Sequence, residues 1–277
     1  MKRDTTSTDT RSTFGGALRA LRLQLSRQDV GQSPADPLPD TAAPVLSKIP
    51  RAWLLTPIAF VFALIALEIT DLDRIVSNWF FDTGAAVFPL RNTFLFDTVL
   101  HHWAKYLVIL TTCLIIAAYL LSFIASALQS RRRVLLFLFM ALALAPLAVT
   151  TLKLVSDRSC PWDLADYGGA VPYTRLFDSQ SRPHAPGHCF PAGHASTGFA
   201  LMAFFFAAHR ARRNRLARGL LIAGVSAGLI LGFGRIAQGA HFLSHVLWSG
   251  LVCWLVMVGL YALLLAKPDP NTTVKSS

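Results

Sequence analysis

An all-α bundle of six membrane-spanning helices is the fold this sequence predicts, and three observations carry the prediction. The chain is 53% hydrophobic and 15% charged, with a mean hydropathy of +0.48, a balance that ordinary soluble domains do not have. Its apolar residues gather into six runs near the length of about 20 that a helix needs to cross the hydrocarbon. Its arginines gather between those runs, at Arg131 to Arg133 and again from Arg210 to Arg218.

Taken in order, residues 1–50 form a tail. Within it, residues 11–27 set Phe14, Leu18, Leu21 and Leu25 on one helical stripe beside Arg19 and Arg22, which suits a membrane-surface helix or a partly helical disordered tail. Pro34, Pro37, Pro39, Pro44 and Pro50 make residues 31–50 a linker. The stretch before Trp53 has no apolar core of the kind a cleaved signal needs, so the first span is expected to stay as an anchor. Spans are expected at Trp53–Thr70, Tyr106–Leu128, Val134–Val155, His194–His209, Gly219–Ala237 and Val246–Ala266, making residues 51–267 one membrane domain with a second tail at 268–277. The fourth span is the shortest and opens among polar groups.

Both arginine clusters join consecutive spans, and short basic loops stay in the cytoplasm. Both termini then lie inside, and only eight of the 26 lysines and arginines fall outside. The net charge of +11 is therefore a topology signal and not the mark of a nucleic-acid partner, since no soluble domain remains to carry a reading surface. Three outer segments follow, at residues 71–105, 156–193 and 238–245. In the first, Trp79, Phe80 and Phe81 beside charges read as a segment lying at the interface, with His101 and His102 also there.

The polar residues then fall into three clusters on that outer side. Lys153 ends the third span ahead of "LVSDRSCPWDLADYGG", where it either snorkels to the interface or meets an anion. "RPHAPGHCFPAGHASTGFA" opens the fourth span, with Pro191 suited to a helix start, Gly193 leaving room for a ligand, and a helix N-terminus offering free N–H groups to an anion. His194 follows directly. Arg235 ends the fifth span, and His241 and His245 lie four residues apart, on one face if helical. Two cations, a helix N-terminus and two imidazoles that titrate near neutrality suit a phosphate flanked by a nucleophile and a proton donor.

The spacing resembles the type 2 phosphatidic acid phosphatase superfamily. Its signature has three parts: Lys, six residues, Arg-Pro; Pro-Ser-Gly-His; and Ser-Arg, five residues, His, three residues, Asp. This chain reads "KLVSDRSCP", "PAGH" and "GRIAQGAHFLSH" with the same internal spacing, over about residues 95–265. The resemblance implies a six-helix membrane enzyme in which His241 attacks phosphorus to form a phosphohistidine and His194 protonates the leaving oxygen. Lys153, Arg235 and the Gly193 N–H would bind the phosphate. It implies a phosphorylated lipid as substrate among membrane lipids, no metal and no cofactor, and, by likeness to bacterial members, a multi-pass protein of the inner membrane with a periplasmic site. The substrate class would be polyprenyl diphosphate, lipid A phosphate or a glycerophospholipid phosphate. Transfer of phosphate between such lipids is the alternative to hydrolysis.

Four positions depart from that signature. Cys160 replaces an arginine, Ala192 a serine, Gly234 a serine, and His245 the aspartate that orients the nucleophile. A neutral His245 can still accept a hydrogen bond from His241, so activity is expected to fall on acidification. Arg158 either supplies the missing guanidinium or is a loop arginine. Cys160 and Cys189 flank the outer loop in an oxidising compartment and are expected to pair, the alternative being two free thiols. Cys113 and Cys253 lie within spans as packing residues.

Two rival readings come from the same residues. His184, His188, His194, His241 and His245 could hold zinc, but no glutamate of an HExxH motif accompanies them and Lys153 and Arg235 would repel a cation. The four departures allow a decayed relative that only binds a lipid phosphate.

Overall fold

The structure is a computed structural model that describes residues 49–175 and 187–266. The surface helix expected at 11–27, the tail at 268–277, Arg182 and His184 lie outside them. Eight helices order the described chain: α1 (Arg51–Ile69), α2 (Leu72–Asn78), α3 (Phe94–Leu121), α4 (Arg132–Leu154), α5 (Gly193–Ala200), α6 (Ala203–Arg210), α7 (Asn214–Ala237) and α8 (Leu243–Leu264). A one-turn helix, Ser126–Gln129, precedes α4. Two isolated bridges are the β-pairing among the described residues. Helices α1, α3, α4, α7 and α8 are long and apolar enough to cross a membrane.

Two spans differ from the sequence expectation. Helix α3 begins at Phe94, twelve residues before the expected Tyr106, so part of the supposed outer segment is helical. It stops at Leu121 because Ser122 turns the chain. The Ser122 hydroxyl donates to the Tyr119 carbonyl, and Arg132, stacked over Phe123, donates from Nη2 to the Ser122 carbonyl at 2.6 Å.

The fourth expected span is the second difference, two short helices broken at Leu201 and Met202. Their glycines and those of α7 bring the backbones together: a Cβ on Gly198 would stand 2.6 Å from Gly228 N, and one on Gly224 2.6 Å from Met202 N. Gly224, Gly228 and Gly232 recur every four residues along α7 and receive Met202, Phe199 and Val246. This glycine face sets α5 and its N-terminus against the end of α7.

At the far end, Trp53 packs edge-on to Phe206 and Tyr261 at 4.8 and 5.0 Å, tying α1 to α6 and α8. At the near end, the loops pack over α7 and α8. Phe88, Leu164, Tyr167 and Phe242 form a small core there, and Arg74 pairs with Asp166 at 2.9 Å. Trp79 is exposed, in keeping with an interfacial position, but α2 does more than lie at a surface.

Asp73 of α2 is 4% exposed and accepts from Ser244 twice, from its backbone N–H at 2.8 Å and from its hydroxyl. It caps the N-terminus of α8 from another element. Burial outweighs these bonds and holds its pKa above the usual carboxylate range. Asp73→Ala should therefore destabilise the protein by about 2–3 kcal/mol, and Asp73→Asn, which keeps an acceptor and carries no charge to bury, by clearly less. Thermal unfolding in detergent checks both; equal losses would contradict the capping role.

Candidate active site

Four helix ends meet beneath those loops. Helix α4 delivers Lys153 in its last turn, α5 opens with Gly193 and His194, α7 ends two residues after Arg235, and the turn into α8 carries His241. The carbonyl of His245 accepts from Ala192 N at 3.1 Å, and the Ser249 hydroxyl lies 2.9 Å from both the Ala192 and His245 carbonyls. The start of α5 is thereby locked to the first turn of α8.

His241 is 3% exposed. Burial holds its pKa well below the ordinary imidazole value, and His245, Lys153, Arg235 and His194 add to the shift as neighbours. Among the described residues, no carboxylate acts on it. The ring thus sits among groups of positive or potentially positive charge, a setting that suits a bound anion. A Cβ added to Gly193 would meet no described residue within 4 Å, which leaves the first turn of α5 room for a ligand.

Because the shift is downward, His241 should stay neutral to well below its usual titration range. An anion bound among these cations should move its pKa back up. Ring nitrogen NMR on ¹⁵N-histidine protein, with and without orthovanadate, checks both; a ring already protonated at pH 6 without ligand would contradict the geometry.

Arg235 is held by its surroundings. Its Nη1 donates to Gln238 Oε1 at 2.7 Å, and Gln238 Nε2 donates to the Arg91 carbonyl at 2.7 Å. Trp162 takes Arg91 over its ring at 4.2 Å with Arg235 at 5.7 Å, while its backbone N–H donates to Gly239 O at 3.0 Å. Sequence reading missed Gln238 and Arg91. The buried amide in "GRIAQGAH" was a usable signal; nothing in the pattern marked Arg91.

Cys160 and Cys189 are disulfide-bonded, with Cα atoms 5.2 Å apart, and Cys189 N donates to Arg158 O at 2.8 Å. The guanidinium of Arg158 donates to Thr174 Oγ1 and to the Arg175 carbonyl. It lies close enough to act on His245 and is not among the groups acting on His241. His188 donates from Nδ1 to the Lys153 carbonyl at 3.3 Å.

The hydrogen bond expected from His241 to His245 is not what the structure places there. The two rings stand edge to face with centroids 5.9 Å apart, and His245 Nδ1 is buried without a partner. Nδ1 of His241 faces the Cys189 sulfur at 3.6 Å. A metal reading meets Cys189, His241 and His245 with ligand atoms within 4.8 Å of one another. Cys189 is committed to a disulfide and offers no thiolate, and two histidines beside Lys153 and Arg235 do not suit a cation.

Residues 134–269 match the family model described as the PAP2 superfamily. Neither a curated protein nor a solved structure matches the chain.

Proposed function

Taking as premise that the chain belongs, through residues 134–269, to the PAP2 superfamily of membrane proteins, we propose that it is a lipid phosphatase working through His241. The observation that carries this reading is the buried His241, its pKa held well below the ordinary value, with Lys153, Arg235, His194 and His245 as the charged neighbours acting on it among the described residues. Nε2 of His241 attacks phosphorus, the bond to the lipid oxygen breaks, and His194 gives that oxygen its proton. Water then attacks the phosphohistidine, His194 takes the water proton, and the P–N bond breaks to free phosphate. Lys153, Arg235 and the Gly193 N–H hold the equatorial oxygens throughout.

The membrane arrangement belongs to the same proposal. Helices α5 and α6 together run from Gly193 to Arg210, about 27 Å at 1.5 Å per residue, and supply a sixth crossing beside the five long helices. The arginine-rich connections then lie inside, both termini with them, and the site faces outward. The test is phosphate release by the full chain in detergent with EDTA, offered polyprenyl diphosphate, lipid A and phosphatidate in turn. Release from one of them supports the reading and names the substrate class. Phosphate appearing on a second lipid in place of free phosphate favours transfer. If phosphate neither leaves nor moves, the phosphatase reading fails and binding of lipid phosphates without chemistry takes its place as the reading to test.

A further inference from the structure

We propose that the Cys160–Cys189 disulfide is a positioning element for catalysis: the Cys189 sulfur holds the His241 ring in the tautomer that can attack. This inference rests on the reading of His241 as the nucleophile and deepens it.

The neighbourhood of Nδ1 carries the argument. Both partners are out of water, Cys189 at 0% and His241 at 3% exposure, and sulfur and Nδ1 are 3.6 Å apart. A disulfide sulfur carries no hydrogen, so within this contact the ring is the only possible donor. The proton then sits on Nδ1 and the lone pair on Nε2, the atom left to face phosphorus. A carboxylate beside Nδ1 would do the same more strongly, but the residue four positions on is His245, which makes no hydrogen bond to His241 and whose own Nδ1 is buried without a partner. The disulfide also joins the loop after Lys153 to the loop before Gly193, so one bond sets the ring and the phosphate cradle together.

Reduction reverses the donor logic. A dithiol supplies two electrons and two protons, the S–S bond breaks, two thiols form and the dithiol closes to its own disulfide. The Cys189 thiol then has one hydrogen for two acceptors, the Ala240 carbonyl at 2.9 Å and Nδ1 at 3.6 Å, and donation to Nδ1 moves the ring proton to Nε2 and removes the lone pair that attacks. Because the wrong tautomer disables a catalytic imidazole even in an intact site, phosphate release should fall by at least about tenfold.

The test is ring ¹⁵N NMR of the full chain in detergent at pH 7.5, labelled at histidine, with the His241 signals identified as those lost in His241→Asn. In the oxidised protein the expected result is a protonated Nδ1 and a bare Nε2, and dithiothreitol should move the proton to Nε2 as activity falls. A proton on Nε2 in the oxidised protein overturns the proposal, whether or not the reduced protein keeps its fold. So does a tautomer and an activity that reduction leaves unchanged while mass mapping finds both thiols free. Cys160→Ala, which leaves a thiol at Cys189, should reproduce the reduced tautomer and the loss without added reductant. Full phosphate release by His241→Ala would sink the nucleophile reading itself, whereas a dead His241→Ala beside a reductant-insensitive wild type sinks only the role of the disulfide.

Discussion

His241→Ala should lower kcat/KM for phosphate release at least about 10³-fold, measured on the substrate that the lipid panel identifies, with EDTA present. The size follows from the site. His194 already serves as the acid in this reading, and alanine at position 241 leaves water to attack phosphorus unaided. Lys153, Arg235 and the α5 N-terminus would still bind the phosphate, so the loss should fall on kcat with KM little changed. His194→Ala separates the second role. A proton donor matters in proportion to the basicity of the leaving oxygen, so its loss should cost about 10²-fold or more on a lipid alkoxide and much less on p-nitrophenyl phosphate. If His241→Ala keeps release within about tenfold of wild type, the nucleophile lies elsewhere; if His194→Ala loses equally on both substrates, His194 is not the acid.

The helices were legible because lipid demands a single thing of them, a continuous apolar run, and α1, α4, α7 and α8 lie within a few residues of where those runs stand. The errors came where other forces decide. Helix α3 starts at Phe94 amid Asp97 and two histidines, which hydropathy counts as a loop. The break at Leu201 follows from the close approach of Gly198 and Gly224 to neighbouring backbones, and spacing within one segment carries no information about its partner helix. The same limit applied to the site. Lys153, Gly193, His194, Arg235 and His241 were readable as three local clusters, and the structure brings their helix ends together. Asp73 capping α8 from 171 residues away, and Arg91 bonded through Gln238 to Arg235, are long-range facts with no local pattern. His245 was assigned the job of an aspartate by position alone, and the geometry gives the neighbouring place to a sulfur.

Lys153→Met should lower kcat/KM about 10²-fold, about 3 kcal/mol of lost stabilisation where charge develops on the transferring phosphate. The same substitution has a second effect of opposite sign on the ring. Lys153 is one of the cations that disfavour protonated His241, so its removal should raise the His241 pKa and move the acid limb of the pH–rate profile to higher pH. Lys153→Arg restores a positive charge at nearly the same place and should return the limb toward wild type even if the altered geometry leaves the rate low. These two readouts decide between the roles open to a lysine near a helix end. A side chain that only snorkels to the interface interacts with lipid and water. Its loss would then cost stability and leave both the rate per folded molecule and the acid limb where they were. A lysine that holds phosphate must shift both together, because the charge that draws the anion in is the same charge that keeps the nucleophile unprotonated before the anion arrives.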